Sequence, residues 1–355
     1  MSRCMLIMAG GTGGHVFPAL AVAELLRQRG IVIHWLGSEA GIENRLVPAA
    51  GIPLHRLAVR GLRGHGWLRR LMAPVMILRA IVSAWQLVRQ LRPELVVGFG
   101  GYASGPGAIA ARLAGVPLVI HEQNARAGLT NRLLAPLARQ VLQAFPGTFR
   151  QAMTTGNPVR AEIVALAPPE TRYAERTGPL RVLVTGGSQG ALALNTRLPS
   201  LLMSVWQDVD FQVRHQAGRG RVPEAEQGWQ GRHDRVQLTE FIDDMAEAFA
   251  WADLVICRSG ASTVSEIAAA GVAALFIPLP TAVDDHQTWN ARWLADADAA
   301  RLMSQGSLNE DGLRARLQGL ADREALCAMA TRARQMALPD SALTVADICE
   351  EVARG

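Results

Sequence analysis

Lysine is absent: all 36 basic residues are arginine, set against 31 carboxylates. That removes a Walker A lysine, a Schiff-base lysine and pyridoxal phosphate chemistry together, since each needs an ε-amino group. Cysteine is scarce, and Cys4, Cys257, Cys327 and Cys349 form no C-x-x-C pair. Neither a disulfide framework nor a zinc site is predicted, and reduced thiols in a cytosolic protein are expected. Of the partners that suit a net charge of +5, two tyrosines and no RNP-like or zinc-finger spacing place nucleic acid behind a phosphorylated substrate or an anionic membrane. The chain opens directly on a strand-like run, without the charged region, apolar stretch and cleavage site of a signal peptide. The protein is expected to stay inside the cell.

What is present is glycine in two turns half a chain apart. Met8-Ala9-Gly10-Gly11-Thr12-Gly13-Gly14-His15 and Val184-Thr185-Gly186-Gly187-Ser188-Gln189-Gly190-Ala191 each follow a short apolar run and precede a helix-like stretch. Such a turn places unblocked backbone N–H groups at a helix N-terminus, where phosphate binds. At 355 residues, with 49% hydrophobic and 19% charged side chains, the chain is too apolar for disorder and long enough for two domains. Strand-like and helix-like runs alternate: 4–8, 19–29, 31–36, 42–49, then 95–97, 106–114 and 116–120. This is the βαβ rhythm of a parallel sheet. It restarts at Arg181 after Gly156-Asn157-Pro158 and Pro168-Pro169, with a helix expected from Ala191 to about Val205. Glu94-Leu95-Val96-Val97, then Gly100-Gly101 and Ala114-Gly115-Val116, is echoed by Asp253-Leu254-Val255-Ile256, Ser259-Gly260 and Ala270-Gly271-Val272. The echo points to a duplicated nucleotide-binding fold.

Several residues carry two readings. Glu266, entering a helix after Ser259-Gly260, is a macrodipole partner or half of a capping box with Ser262 or Thr263, or it accepts both ribose hydroxyls of a nucleotide. His121-Glu122-Gln123-Asn124 ends a strand and is expected to point into a binding crevice. His215 and His233 lack organised surroundings and read as surface residues. Asp284-Asp285-His286-Gln287 suits sugar hydroxyls better than a metal, because no further carboxylates converge on it. In the helix expected to start at Pro74, one apolar stripe (Ile77, Ile81, Ala84, Val88, Leu91) suffices for docking on a sheet. The second stripe, Val75, Leu78, Val82 and Trp85 among Arg69, Arg70, Arg79 and Arg89, is surplus. It reads as an interfacial membrane face, a partner groove, or a second buried side.

Taken in order, Gly10–His15, Gly100–Gly107, His121–Asn124, Gly156-Asn157-Pro158-Val159-Arg160, Gly186–Ala191 and Cys257-Arg258-Ser259-Gly260-Ala261 resemble the bacterial peptidoglycan N-acetylglucosaminyltransferases of glycosyltransferase family 28. The resemblance runs from Ala9 to about Ala297. It implies an α/β protein of GT-B fold, two Rossmann-like domains facing each other across a deep cleft. Residues 1–160 would take the lipid-linked acceptor and face the membrane, with a helix over 338–355 packing back on them, and residues 161–337 would take the donor. The implied reaction moves N-acetylglucosamine from UDP-GlcNAc to lipid I, giving lipid II with inversion and without an obligatory cofactor or metal. The implied donor set is Thr12, Gly13, Gly14, Asn124, Arg160, Ser188, Ile242, Ala261, Ser262, Thr263, Val264, Ser265, Glu266 and Gln287. The implied acceptor diphosphate set is Gly13, Gly14, His15, Gly100, Gly101, Tyr102 and Ser104. Asn124 and Glu266 would serve the chemistry, and His15 is the favoured base, since histidine suits proton transfer at neutral pH. A diphosphate ligand or helix-start neighbour is its other reading, and His121 or Glu122 come next as bases. Anionic lipids of the inner membrane's cytoplasmic face and other cell-wall and division proteins are the implied partners. The loop Leu279–Val283 departs from the family pattern. A nicotinamide oxidoreductase is disfavoured because neither turn completes G-x-G-x-x-G, with Val16 and Gln189 in the way. A UDP-sugar epimerase and a non-enzymatic sugar-nucleotide sensor are the remaining rivals.

Overall fold

The computed structural model describes residues 3–59, 67–187, 190–230 and 234–355, with side chains in the first long helix described from residue 74 onward. The chain divides into two compact units, residues 1–159 with 338–355 and residues 160–337. Strands of the first unit are β1 (Cys4–Ala9), β2 (Val32–Ser38), β3 (Leu54–Leu57), β4 (Leu95–Gly100), β5 (Leu118–Glu122), β6 (Gln140–Gln143) and β7 (Met153–Thr154). They form one parallel sheet in the order β3-β2-β1-β4-β5-β6-β7. The second unit contributes β8 (Leu180–Thr185), β9 (Phe211–Gln216), β10 (Val236–Thr239), β11 (Leu254–Cys257), β12 (Ala273–Phe276) and β13 (Arg301–Leu302). Their order, β10-β9-β8-β11-β12-β13, repeats that of the first six strands. The repeat extends the sequence echo: the two matching segments occupy β4–β5 and β11–β12, equivalent places in two Rossmann-like sheets.

Each sheet is covered on both faces, so its strands are buried whichever way a side chain points. Along β1, Met5, Ile7 and Ala9 join one core, and Leu6 and Met8 join another. The first core is closed by α1 (Gly13–Gln28), whose Val16, Ala19, Val22, Ala23 and Leu26 recur at helical spacing. After α2 (Glu43–Ala49), α3 (Trp67–Leu91) and α4 (Ser104–Leu113) close the opposite face. In the second unit α5 (Ala261–Ala270) follows β11. The chain then returns to the first unit as α6 (Ser341–Arg354), placing Val345, Ala346, Ile348 and Cys349 in the core shared with α1 and β1.

Two expected helices differ. The stretch from Ala191 to Val205 is two helices, Leu192–Thr196 and Leu198–Val205, because Pro199 has no N–H to continue the ladder and tolerates only the first turn of a new helix. Pro74 lies inside α3 rather than at its start. The docked stripe of α3 is Ala80, Ala84 and Val88, whereas Ile77, on the same face, is exposed one turn before the packed region. The small side chains fit a close approach of α3 to the Ala- and Gly-rich α4. On the opposite face Val75, Leu78, Val82 and Trp85 are each between 36 and 61% exposed, so they are not a second buried side.

Candidate active site

In each sheet the neighbours of the first strand lie on both sides, which makes the β1–β4 and β8–β11 gaps the points where strand order reverses and ligands of such sheets bind. All the glycine turns fall there. In the first unit the turn after β1 and the turn after β4 touch backbone to backbone. A Cβ on Gly101 (φ +92°) would come within 2.6 Å of the Gly10 carbonyl oxygen. Gly100 (φ +105°) leaves room for the His15 ring, since a Cβ there would lie 2.9 Å from His15 Cε1.

Sequence reasoning missed Glu43. Its carboxylate is fully buried and accepts hydrogen bonds from Gly11 N–H (2.9 Å), Ser38 N–H (3.1 Å) and the Ser38 hydroxyl (2.7 Å). Gly10 is bare because a Cβ would sit 2.6 Å from Glu43 Oε1, and Gly37 makes room for the same side chain. The sequence suggested an unblocked turn, and the first turn is only partly so. Gly11 N–H is spoken for, and Gly13 and Gly14 open α1 with N–H groups outside the helical ladder. Thr12 is the N-cap, its carbonyl accepting from His15 and Val16 at 3.2 Å without a side-chain cap.

His15 does not stand alone. Its Nδ1 is 2.7 Å from Gln123 Oε1, Gln123 Nε2 is 3.0 Å from His121 Nδ1 and 2.9 Å from the His121 carbonyl, and His121 Nε2 is 2.9 Å from the Gly156 carbonyl. His121, Glu122 and Gln123 are buried rather than turned into a crevice. Burial pushes His121 down to about 4, the Gly156 carbonyl opposing it, so the ring is neutral at physiological pH. Glu122 accepts from Asn124 N–H (2.9 Å) and its side-chain amide (3.2 Å), Gly128 N–H (3.0 Å) and Asn131 Nδ2 (2.9 Å). Both residues are thus removed as candidate bases, one tied to Gly156 and the other organising the loop that presents Asn124. Ser104 is fully buried, its hydroxyl donating to the Gly100 carbonyl at 2.7 Å and its N–H to Gly101 at 3.3 Å, which takes it out of the acceptor diphosphate set. Tyr102 is exposed beside it.

In the second unit Gly187 (φ +77°) and Gly190 (φ +69°) shape the turn after β8, with Gly190 N–H donating to the Gly187 carbonyl at 2.8 Å. Ser188 lies outside the described residues, as does His233. Glu266 lies beyond the first turn of α5, which contains no acidic residue and no side-chain cap, so the capping-box reading fails. Its partner is Arg160, whose Nη2 donates to Glu266 Oε1 at 3.0 Å. Burial raises the Glu266 carboxyl above the ordinary carboxylate range while the Arg160 guanidinium pulls it back.

Around Glu266, Ala261, Val264 and Ser265 are buried, Val264 completely, so its side chain belongs to the core and not to a ligand surface. Thr263 and Ser262 are half-buried; the Ser262 hydroxyl is enclosed without a hydrogen-bond partner among the described residues. Ile242 is half-buried in the loop after β10. Gln287 Oε1 accepts from Leu279 N–H at 2.9 Å. Asp284 and Asp285 take left-handed backbone, and Asp285 accepts from the Thr288 hydroxyl at 2.7 Å. Among the described residues no group of three or more His, Cys, Asp or Glu side chains stands together to hold a metal ion. His215 is wholly buried, contrary to the surface reading: Trp229 Nε1 donates to its Nδ1 and its Nε2 meets Asn195 Oδ1, both at 3.0 Å.

The model of the glycosyltransferase family 28 N-terminal domain matches residues 5–143, and that of its C-terminal domain matches residues 181–345. The chain belongs to glycosyltransferase family 28. Within this family-28 chain every turn described above lies in or beside a matched segment. It is 57% identical to an Alcanivorax borkumensis protein over 100% of both chains. A Pseudomonas entomophila relative is 52% identical over 99% of this chain and 98% of its own. Both carry the name UDP-N-acetylglucosamine–N-acetylmuramyl-(pentapeptide) pyrophosphoryl-undecaprenol N-acetylglucosamine transferase. The crystal structure of Acinetobacter baumannii MurG is 43% identical and superposes with a TM-score of 0.88 over 98% of this chain and 99% of that one. The glycotransferase of kitacinnamycin, 16% identical with a TM-score of 0.73 over 99% of this chain and 100% of that one, shares the fold alone. The two Rossmann-like units are those of the GT-B glycosyltransferases.

Proposed function

We propose that this chain transfers N-acetylglucosamine from UDP-GlcNAc to the 4-hydroxyl of the MurNAc of undecaprenyl-pyrophosphoryl-MurNAc-pentapeptide, lipid I, forming lipid II with inversion at the sugar carbon. The observation that carries the reading is 57% identity over the full length of a protein bearing that name. Unit 2 takes the donor: the Gly186–Gly190 turn and the enclosed Ser262 hydroxyl meet pyrophosphate, Glu266 held by Arg160 accepts from ribose, and the Gln287 amide meets the sugar. Unit 1 takes the acceptor, with diphosphate at the N–H groups of Gly13 and Gly14.

His15 accepts the hydroxyl proton. The oxygen electron pair then forms the bond to the anomeric carbon, and the bond to UDP breaks with its pair on the departing phosphate oxygen. The exposed Val75, Leu78, Val82 and Trp85, with Arg79 and Arg89 nearby, support peripheral attachment to anionic lipid at the cytoplasmic face of the inner membrane, where this acceptor is found and where cell-wall and division proteins are the fitting partners. No helix among the described residues is long and apolar enough to cross a bilayer. The test is UDP release from UDP-GlcNAc with and without a lipid I analogue; release that ignores the lipid, or none, rejects the reading. His15→Ala should lower turnover about 10²- to 10⁴-fold at saturating acceptor with UDP-GlcNAc affinity retained.

A further inference from the structure

We infer that Gln123 is a positioning residue that fixes His15 in the Nδ1–H tautomer and so leaves Nε2 as the nitrogen able to take a proton. The inference rests on the transferase reading only for its catalytic consequence, since the tautomer itself follows from a chain of hydrogen bonds whose two fixed points are backbone carbonyls. A carbonyl accepts and never donates. The Gly156 carbonyl, 2.9 Å from His121 Nε2, therefore requires a proton on that nitrogen. His121 is completely buried and neutral, so its Nδ1 carries a lone pair and needs a donor.

The donor is the Gln123 amide nitrogen at 3.0 Å, and the same NH₂ group meets the His121 carbonyl at 2.9 Å. Two N–H bonds and two acceptors match. Turning the amide over would set its oxygen against two acceptors at once, so these two acceptors fix the amide orientation. Only Oε1 is left to face His15, 2.7 Å from Nδ1, and Oε1 accepts. His15 Nδ1 accordingly holds the proton, and its Nε2 makes no hydrogen bond to any described residue. Gly100 completes the arrangement by having no Cβ to displace the ring.

A buried carboxylate orients and charges a catalytic histidine in many enzymes. Here a neutral amide, itself oriented by a second histidine, does the orienting without adding charge. When Nε2 takes the acceptor proton, the resulting imidazolium keeps its Nδ1–H on Gln123 Oε1, and nothing in the chain has to rearrange.

The test is ¹⁵N and ¹H correlation spectroscopy of the full chain with ring-labelled histidine, the His15 signals being assigned by their loss in His15→Ala. The expected result is a His15 ring whose Nδ1 carries the proton, directed at Gln123 Oε1. In Gln123→Met, similar in length and unable to accept as an amide does, the ring should revert to the Nε2–H form that histidine prefers in water. Turnover should fall about 10-fold while KM for UDP-GlcNAc is unchanged, the scale of one lost hydrogen bond. A native His15 protonated on Nε2, or a folded Gln123→Met with the tautomer unaltered, overturns the inference. The native spectrum decides even if the variant fails to fold. Native Nδ1–H together with full turnover in His15→Ala would instead uphold the tautomer and remove His15 as the base.

Discussion

At position 266 a carboxylate is subject to two opposing influences, loss of water and a guanidinium at 3.0 Å. Because burial wins, the group gives up its charge at a higher pH than an ordinary glutamate, and donor affinity should decline as pH falls into that raised range. Glu266→Gln should flatten the decline. Glu266→Ala should weaken UDP-GlcNAc binding by about 1.5 to 3 kcal/mol in isothermal titration, the range for hydrogen bonds to a charged group; unchanged affinity would remove the ribose role. His215 titrates the other way. Its folded value is pushed from 6.5 down to about 4 by burial, so between those values the unfolded chain binds a proton that the folded chain refuses. Stability is fully present above pH 6.5 and is lost on acidification, approaching about 3 kcal/mol from this residue near pH 4. Denaturant unfolding of His215→Gln should show a shallower loss between pH 6.5 and 4, and an identical slope would contradict it. Neither His215 nor His121 was legible as buried, because strands covered on both faces show no alternation to separate inside from outside. Glu43 was illegible for another reason: Gly10, Gly37 and Ser38 meet around it only after the sheet has formed.

Among the elements, the glycine turns and the strand rhythm were readable directly, since each is a local pattern with one physical cause. The mutual contact of the turns after β1 and β4 was not, as it depends on strand order. Helix α3 shows both sides of this. Its periodicity grouped Val75, Leu78, Val82 and Trp85 on one stripe without deciding whether that stripe is exposed, and gave the packed one only in part, because Ala80 packs where Ile77 was expected. Residues 75, 78, 82 and 85 lie roughly opposite 80, 84 and 88 at about 100° per residue. Val75→Asp with Leu78→Asp should therefore leave the melting temperature and activity on a short-chain, water-soluble acceptor largely intact. Sedimentation with anionic liposomes should fall. Folded variants that bind liposomes as before would place the membrane contact elsewhere.

For the molecule as a whole, the same strand order in both units makes the sequence echo an architectural repeat, with the first sheet extended by β7. The first unit is nevertheless discontinuous. Helix α6 inserts Val345, Ala346, Ile348 and Cys349 against α1 and β1, and its Asp347 and Glu350 pair with Arg29 at 2.7 and 3.2 Å. Ser341 adds a buried hydrogen bond to the Asn157 carbonyl at 2.8 Å. Ending the chain at Ala337 should cost the first unit about 4 kcal/mol or more from lost apolar burial alone. Calorimetry should then show its transition lowered with the second unit's retained, and an unchanged first transition would refute this. The returning helix also sets a timetable. A ribosome delivers residues 1–159 early and can leave them only half sealed, because the segment that closes their core is made after the entire second unit. The transferase is thus matured from its far end, and a nascent chain that stalls or terminates anywhere before residue 338 leaves behind an open first sheet for proteases to find.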